Sequence, residues 1–167
     1  MNQRKNWHKT FMDITKELSK RSLCLKIQTA CLIVKNTQIL SIGYNGTFSG
    51  KEECCELWKS IYDSKNLDFK RDLTFSEWLL TSEFKNAHRD WSLKEEVHAE
   101  INALLYISKR DITKDYILYT LYSPCDACTK EIIAYGISNI YYKYEYSRGS
   151  EALKRLSKMG INCQKII

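Results

Sequence analysis

No stretch of this sequence approaches the roughly 18 consecutive apolar residues that a membrane-spanning helix needs. The first residues, "MNQRKNWHKTFMDITKEL", hold no long apolar block and no cleavage-site pattern, so no secretory signal is read there. The cytoplasm is the expected location, that of the host if the source is a virus. Internal repeats, low-complexity tracts and linkers rich in proline, glycine or serine are also missing. The chain has one proline and six glycines in 167 residues. Nothing divides it, and a single domain over residues 1–167 is the expectation. An excess of one charge is likewise slight: 26 basic against 20 acidic residues give +6. That surplus suits a phosphate-bearing partner without requiring a nucleic acid. Cysteine is not scarce, but its number is odd. Cys24, Cys31, Cys54, Cys55, Cys125, Cys128 and Cys163, with no secretory context, favour metal binding or buried thiols over a disulfide framework.

What is present alternates in type. Residues 5–20 read as an amphipathic helix with Trp7, Phe11, Ile14 and Leu18 on its apolar face. Residues 27–35 and 38–44 read as strands separated only by Asn36 and Thr37, hence a hairpin. Residues 51–96 are charged and poor in strand character. They read as an insertion with two short helices, around "CELWKSIYD" and "FSEWLLTSEF". Beyond it, helices are expected at 97–110, 125–136 and 150–159, and strands at 116–122, 138–144 and in the closing "INCQKII". Glycines 136 and 160 mark two helix ends. Two strand–helix–strand units imply parallel neighbours with right-handed crossovers. The expected fold is an α/β/α sandwich around a five-stranded mixed sheet.

Two segments carry chemistry. In "SPCDACTKEII", Cys125 and Cys128 stand three apart at a helix start just after Pro124. Proline is tolerated in a first turn, and a spacing of three puts both sulfurs on one face. The helix terminus also favours the thiolate that a metal needs. In "VHAEINALLY", His98 and Glu100 are two apart, and in mid-helix they would point to nearly opposite sides. They reach one centre only if it lies off the helix end, and both fall in the first turn of their helix. His98, Cys125 and Cys128 would give zinc three protein ligands and an open fourth position, the pattern of catalytic rather than structural sites. Glu100 beside that position could move protons. Alone, C-x-x-C also serves structural and redox sites, and H-x-E alone carries little. The joined pattern H-x-E…P-C-x-x-C is the known signature of zinc deaminases.

At these residues the chain resembles the cytidine deaminase superfamily, and within it the deoxycytidylate (dCMP) deaminases, including their phage members. The likeness extends over "RSLCLKIQTACLIVKN", "SIGYNGTFSG", "HAEINALLY", "LYTLYSPCDACTKEIIAYGI", "IYYKYEY" and "LKRLSKMGI". The chain departs from the family pattern at Thr29-Ala30-Cys31, where Val-Gly-Ala is usual, and at Phe48, where proline is usual. His98 in place of a third cysteine, a helix between the last two strands and the long 51–96 segment all favour the dCMP branch. The resemblance implies zinc-dependent hydrolysis of dCMP to dUMP and ammonia, with dUMP feeding thymidylate synthesis. In that mechanism water acidified by zinc adds to C4 of cytosine, and Glu100 carries protons to N3 and to the leaving amine. It also implies that the Ala99 backbone binds the pyrimidine carbonyl, the Ser123 carbonyl the amino group, and Asn45 the sugar hydroxyl. Arg21, Ser22, Lys26, Tyr146 and Arg148 are the candidates for the phosphate.

A hexamer activated by magnesium–dCTP and inhibited by dTTP follows from the same resemblance, with Tyr44, Asn45, Gly46 and Gly50 in the effector loop. Some phage members hold a structural zinc in the insertion. Cys54, Cys55 and His88 are candidates for it here, against the reading of ordinary buried or surface thiols. Cys24, Cys31 and Cys163 fall in or beside strands and are expected in the core. An editing deaminase acting on tRNA or single-stranded DNA is the alternative enzyme, since the tyrosines could stack on bases. A non-catalytic zinc module is the third reading, and Glu100 argues against it.

Overall fold

The structure is a computed structural model that describes residues 6–68, 73–107, 115–147 and 149–166. Helix α1 spans Trp7–Ser19, strand β1 Ala30–Lys35 and strand β2 Gln38–Tyr44. Asn36 and Thr37 both take positive φ (49° and 63°), as the two-residue turn of a tight hairpin requires. A two-residue strand β3, Gly46–Thr47, follows β2. The next segment folds as three helices: α2 Cys54–Asp68, α3 Phe75–Trp78 and α4 Ser82–Glu95. The expected single helix over "FSEWLLTSEF" is therefore two. Thr74 and Glu77 close a capping box that starts α3, and the Thr81 side chain accepts from the Phe84 N–H and starts α4. Strand β4, Glu96–Val97, pairs antiparallel with β3.

After β4 the chain runs through α5 (Ala99–Leu104), β5 (Tyr116–Tyr122), α6 (Asp126–Tyr135), β6 (Ile137–Tyr144), α7 (Ser150–Lys158) and β7 (Asn162–Lys165). The main sheet has the order β2-β1-β5-β6-β7. β1 is antiparallel to both neighbours, while β5, β6 and β7 are parallel, so the sheet is mixed as expected. Gly136, with φ 78°, caps α6 in the left-handed conformation and turns the chain directly into β6.

The inner strands β1 and β5 are buried on both faces. Cys31, Ile33, Leu118 and Ile140 pack with Ala103, Ile132 and Leu156 under α5, α6 and α7. Leu32, Val34, Tyr119 and Leu121 pack with Phe11 and Met12 under α1. This is the α/β/α sandwich. The helical segment before β4 has a core of its own, built on Trp58, Tyr62, Trp78 and Phe84.

Three expectations need correction. The buried face of α1 is Phe11, Met12, Thr15 and Ser19 rather than the face that includes Trp7 and Ile14, which are 54% and 38% exposed. Thr15 can be buried because its hydroxyl donates to the Phe11 carbonyl at 2.8 Å, leaving no unsatisfied polar atom. The strand expected from residue 27 starts at Ala30, and residues 27–29 run as a loop beside Asn45. The helix expected over 97–110 is helical from Ala99 to Leu104, and its last three residues lie outside the described ones.

The contact that matters most for the site is between β2 and α5. Ser41 donates a hydrogen bond to the Ala103 carbonyl, and Gly43 faces the helix backbone. A Cβ at Gly43 would sit 2.3 Å from the Ala99 carbonyl oxygen and 2.5 Å from the Ala103 nitrogen. Backbone cannot step aside as a flexible side chain can, so only glycine allows this approach. Gly43→Ala is expected to cost about 2–4 kcal/mol, at or above the usual cost of overpacking. Urea denaturation of the two proteins measures it, and an equal midpoint would show that the helix can move away freely.

Candidate metal and nucleotide site

His98 and Cys125 are the N-cap residues of α5 and α6, and neither side chain makes a capping hydrogen bond. Both are free to point off their helix ends, which is how residues on separate helices meet. His98 Nδ1 lies 3.2 Å from Cys128 Sγ and 3.4 Å from Cys125 Sγ, and the two sulfurs are 3.7 Å apart. Zinc bonds of about 2.3 Å to sulfur and about 2.0 Å to nitrogen, in a tetrahedron, set such atoms roughly 3.5–3.8 Å apart. The donor set fits zinc: the sulfur–sulfur distance of 3.7 Å lies within that range, and the nitrogen–sulfur distances of 3.2 and 3.4 Å are a little shorter. Glu100 is buried and its Oε2 lies 3.6 Å from Cys128 Sγ. The geometric problem posed by two residues spaced by two is thus solved at the helix start, with the centre beyond its end.

The protons in this cluster are shared. Hydrogen bonding from Cys128, then from His98, pulls the Cys125 thiol down to about 4. His98 is pushed up to about 9, chiefly by Cys125. Loss of hydration raises the Glu100 carboxyl above its ordinary value. A thiolate beside a buried acid is a donor set ready for a cation.

A second cluster lies close by. Cys24, Cys54, His88 and Glu96 bring one ligand atom each within 4.8 Å of one another. His88 Nε2 is 3.3 Å from Cys54 Sγ and 3.6 Å from Cys24 Sγ, and Cys24 Sγ is 3.7 Å from Glu96 Oε2. Glu96 Oε1 and His88 Nδ1 are buried without a hydrogen-bond partner. Burial, then Cys24, pushes the Glu96 carboxyl up to about 8, and hydrogen bonding from Cys54 pulls Cys24 down to about 3. Cys24 is therefore not an ordinary core residue, unlike the fully buried Cys31 and the half-buried Cys163. Of the expected trio, Cys54 and His88 meet but Cys55 does not join them. The sequence offered no local sign of Cys24 and Glu96, since the four residues come from four different segments.

Both clusters open on one pocket of about 450 Å³. Its lining includes Lys26, Asn45, Arg89, Glu96, His98, Glu100, Ser123, Cys125 and Tyr146. That volume is in the usual range for a small-molecule site, about 300–1,000 Å³. Asn45 is the joint of the wall: its Oδ1 accepts from the Thr29 N–H and its Nδ2 donates to the Ile27 carbonyl, both at 2.9 Å. A further N–H and lone pair of that amide remain for a ligand. Ser123 Oγ accepts from the Tyr146 N–H at 2.9 Å, tying the pocket's rim to the end of β5.

The other sequence candidates separate. Lys26 is exposed and lines the pocket, whereas Arg21 is exposed and outside the lining. Ser22 is buried and accepts from the Cys24 N–H, so it faces the second cluster's loop rather than the pocket. Ala99 is fully buried, with its carbonyl against Gly43. Arg148 lies outside the described residues. Tyr44 has its carbonyl bonded to Asn102, Gly46 pairs with Val97, and Gly50 is exposed with φ 83°. Arg89 is a pocket residue that the sequence did not reveal, because it sits in a charged helix with no motif.

Residues 5–144 match the family described as the cytidine and deoxycytidylate deaminase zinc-binding region. The chain belongs to that family. As a member of this deaminase family it is similar to the deoxycytidylate deaminase of Enterobacteria phage T4, 29% identical over 151 residues that cover 83% of this chain and 78% of the phage protein. The deoxycytidylate deaminase of Schizosaccharomyces pombe is 26% identical over 98% of this chain and 45% of its own. Among solved structures, the dCMP deaminase of cyanophage S-TIM5 in complex with dCMP and dUMP superposes with a TM-score of 0.67. It is 26% identical and covers 99% of this chain and 100% of its own. The family's zinc-binding region contains both helix starts that carry the His98, Cys125 and Cys128 cluster.

Proposed function

We propose that the chain is a zinc-dependent hydrolase that converts dCMP to dUMP and ammonia, with dUMP feeding thymidylate synthesis. The observation that carries this reading is the buried Glu100 beside the His98, Cys125 and Cys128 cluster, in a pocket wide enough for a nucleotide. His98, Cys125 and Cys128 would hold the zinc, which supplies a Lewis acid able to bring the pKa of a water to about 7. Glu100 would take one proton from the attacking water and pass it to ring N3, then take the second proton from that oxygen, now bonded to C4, and pass it to the amine as the C4–N bond breaks. Its burial suits this work, because a carboxyl with a raised pKa holds a proton long enough to deliver it. Asn45 is assigned to the sugar hydroxyl, the Ala99 backbone to the pyrimidine carbonyl and the Ser123 carbonyl to the amino group. The similarity to a cyanophage dCMP deaminase solved with dCMP and dUMP supports the choice of substrate. Likeness to a tRNA deaminase, 13% identical, extends only to the fold.

We further propose a structural zinc at Cys24, Cys54, His88 and Glu96. Four protein donors leave no open position, which is the structural rather than catalytic pattern. The unpartnered Glu96 Oε1 supports it, since a buried carboxylate with nothing to bind is costly. A hexamer regulated by magnesium–dCTP and dTTP belongs to the same proposal. Support for the assembly is the outer strand β2, the sheet's edge among the described residues, which exposes Leu40, Ile42 and Tyr44.

Ammonia release and product identity with dCMP, deoxycytidine and a cytosine-bearing oligonucleotide test the reaction. Turnover of dCMP is expected to lead, and preference for the oligonucleotide would replace this reading with the editing one. Glu100→Gln should keep the fold and the zinc and lose about a thousandfold in kcat, the scale of general acid–base catalysis. Activity near the parent's would remove Glu100 from the chemistry. Elemental analysis tests the metals. The parent should carry about two zinc ions per chain, Cys54→Ala about one, and Cys55→Ala about two. Equal zinc in the parent and the Cys54 variant would overturn the second site.

A further inference from the structure

Tyr146 and Ser147, just beyond β6, line the pocket, yet the proton chemistry of Glu100 and the metal cluster uses neither. The backbone of Tyr146 is nevertheless bonded on both sides. Its N–H donates to Ser123 Oγ at 2.9 Å, and its carbonyl accepts from the Gly149 N–H at 2.8 Å. Ser123 is buried, directly follows β5 and stands two residues before Cys125. Its own N–H donates to the Tyr144 carbonyl at 2.8 Å. One residue therefore grips the last residue of β6 through its backbone and the chain beyond it through its hydroxyl.

Gly149, the residue before α7, makes room for that grip. A Cβ there would meet Ser123 Oγ at 2.8 Å, the Tyr146 carbonyl oxygen at 3.1 Å and the Pro124 carbonyl oxygen at 3.3 Å. Its φ of −97° is open to any residue, so the demand for glycine is one of space. The two carbonyls belong to the backbone and can give only a little. An added methyl would find relief by turning the Ser123 hydroxyl away, and the Tyr146 N–H would then lose its acceptor. An N–H left without its partner costs more than the bond itself contributes, so this contact is kept wherever the space for it exists.

We propose that the Ser123 hydroxyl and Gly149 are positioning residues, which together seat Tyr146 as a fixed wall against which the bound nucleotide is held. This rests on the deaminase reading above. Ser123 then has two separable parts. Its carbonyl, assigned to the amino group, keeps its aim through the backbone bond to Tyr144, which a change of side chain does not remove. Its hydroxyl acts on the wall. Loss of the hydroxyl is therefore felt mainly as weaker binding of substrate and product.

The test measures KM and kcat for dCMP, and calorimetric affinity for dUMP, in the parent, Ser123→Ala, Gly149→Ala and the double variant. Lys154→Gln, exposed on α7 and outside the lining, is the control. Zinc content and urea midpoints verify that each variant is folded and loaded. Each single substitution is expected to raise KM and weaken dUMP about five- to tenfold, the scale of one hydrogen bond, with a much smaller change in kcat. The double variant should match Ser123→Ala instead of multiplying the two effects, because once the hydroxyl is gone the methyl has no bond left to break. In a Tyr146→Ala background Ser123→Ala should add nothing, and that comparison decides alone if Gly149→Ala does not fold. In an active parent, effects that multiply, or a Ser123→Ala variant within about twofold of the parent in KM, would overturn the seat and leave the deaminase reading standing. A parent that turns over no dCMP would overturn that reading and the seat with it.

Discussion

The close approach of α5 to the outer strand of the sheet is the constraint on which the site depends. Gly43 lets the helix backbone come within a distance that any side chain would block, and the Ser41 hydrogen bond to Ala103 fixes its height. With α5 held there, its first residues project past the sheet rather than over it. His98, the N-cap, and Glu100, two residues on, would diverge in mid-helix, yet at the helix start both can address a point beyond the end. The crossover from β5 into α6 brings Cys125 and Cys128 to the same point, because β5 lies one strand from β2 across β1. Moving α5 outward by the width of a methyl group would separate ligands that now stand 3.2–3.4 Å apart.

The pocket is a consequence of the same arrangement seen from the other side. Its inner end is the convergence of two helix starts, and its wall is a loop with no secondary structure of its own. Asn45 supplies the order that a ladder would otherwise supply, holding residues 27 and 29 through both ends of its amide. That explains why β1 begins only at Ala30: the Thr29 N–H and the Ile27 carbonyl are bonded by a side chain, not by a neighbouring strand. The short β3–β4 pair continues the wall and delivers the chain to His98.

Much of this was legible in the sequence, for physical reasons that differ by element. The hairpin at Asn36–Thr37, the stop at Gly136 and the parallel strand–helix–strand units are local or nearly local, and local pattern revealed them. The first candidate metal cluster was legible because two of its residues sit three apart and the others two apart, each at a recognisable helix start. Where ligands are scattered, pattern fails. Cys24 looked like an apolar residue beside a strand, and Glu96 like one more charge in a charged segment, until folding placed them against Cys54 and His88. Arg89 was hidden for the same reason. On α1 the error was of another kind. Hydrophobicity favoured Trp7 and Ile14, but packing selected the smaller Thr15 and Ser19, whose hydroxyls bond back to their own helix and so bury without penalty.

The second cluster shows how the helical segment before β4 and the sandwich share one stability. Trp58 stacks against His88 with ring centroids 5.9 Å apart, and Phe84 and Trp91 close around the same imidazole. The segment's aromatic core thus ends on a metal-binding type of residue rather than on another apolar one. Cys24, which packs into that core, and Glu96 come from outside the segment, from the loop before β1 and from β4. An apolar contact would join the two parts with broad tolerance for rotation. Four donors converging on one point allow almost none, and that point lies within two residues of Lys26, Arg89 and His98. Buried thiols and a carboxylate are poor partners for each other without a cation, because each loses hydration and gains little in return. The chain nevertheless places them together beside the pocket, where four converging donors hold the walls at a fixed separation that a purely apolar junction would not.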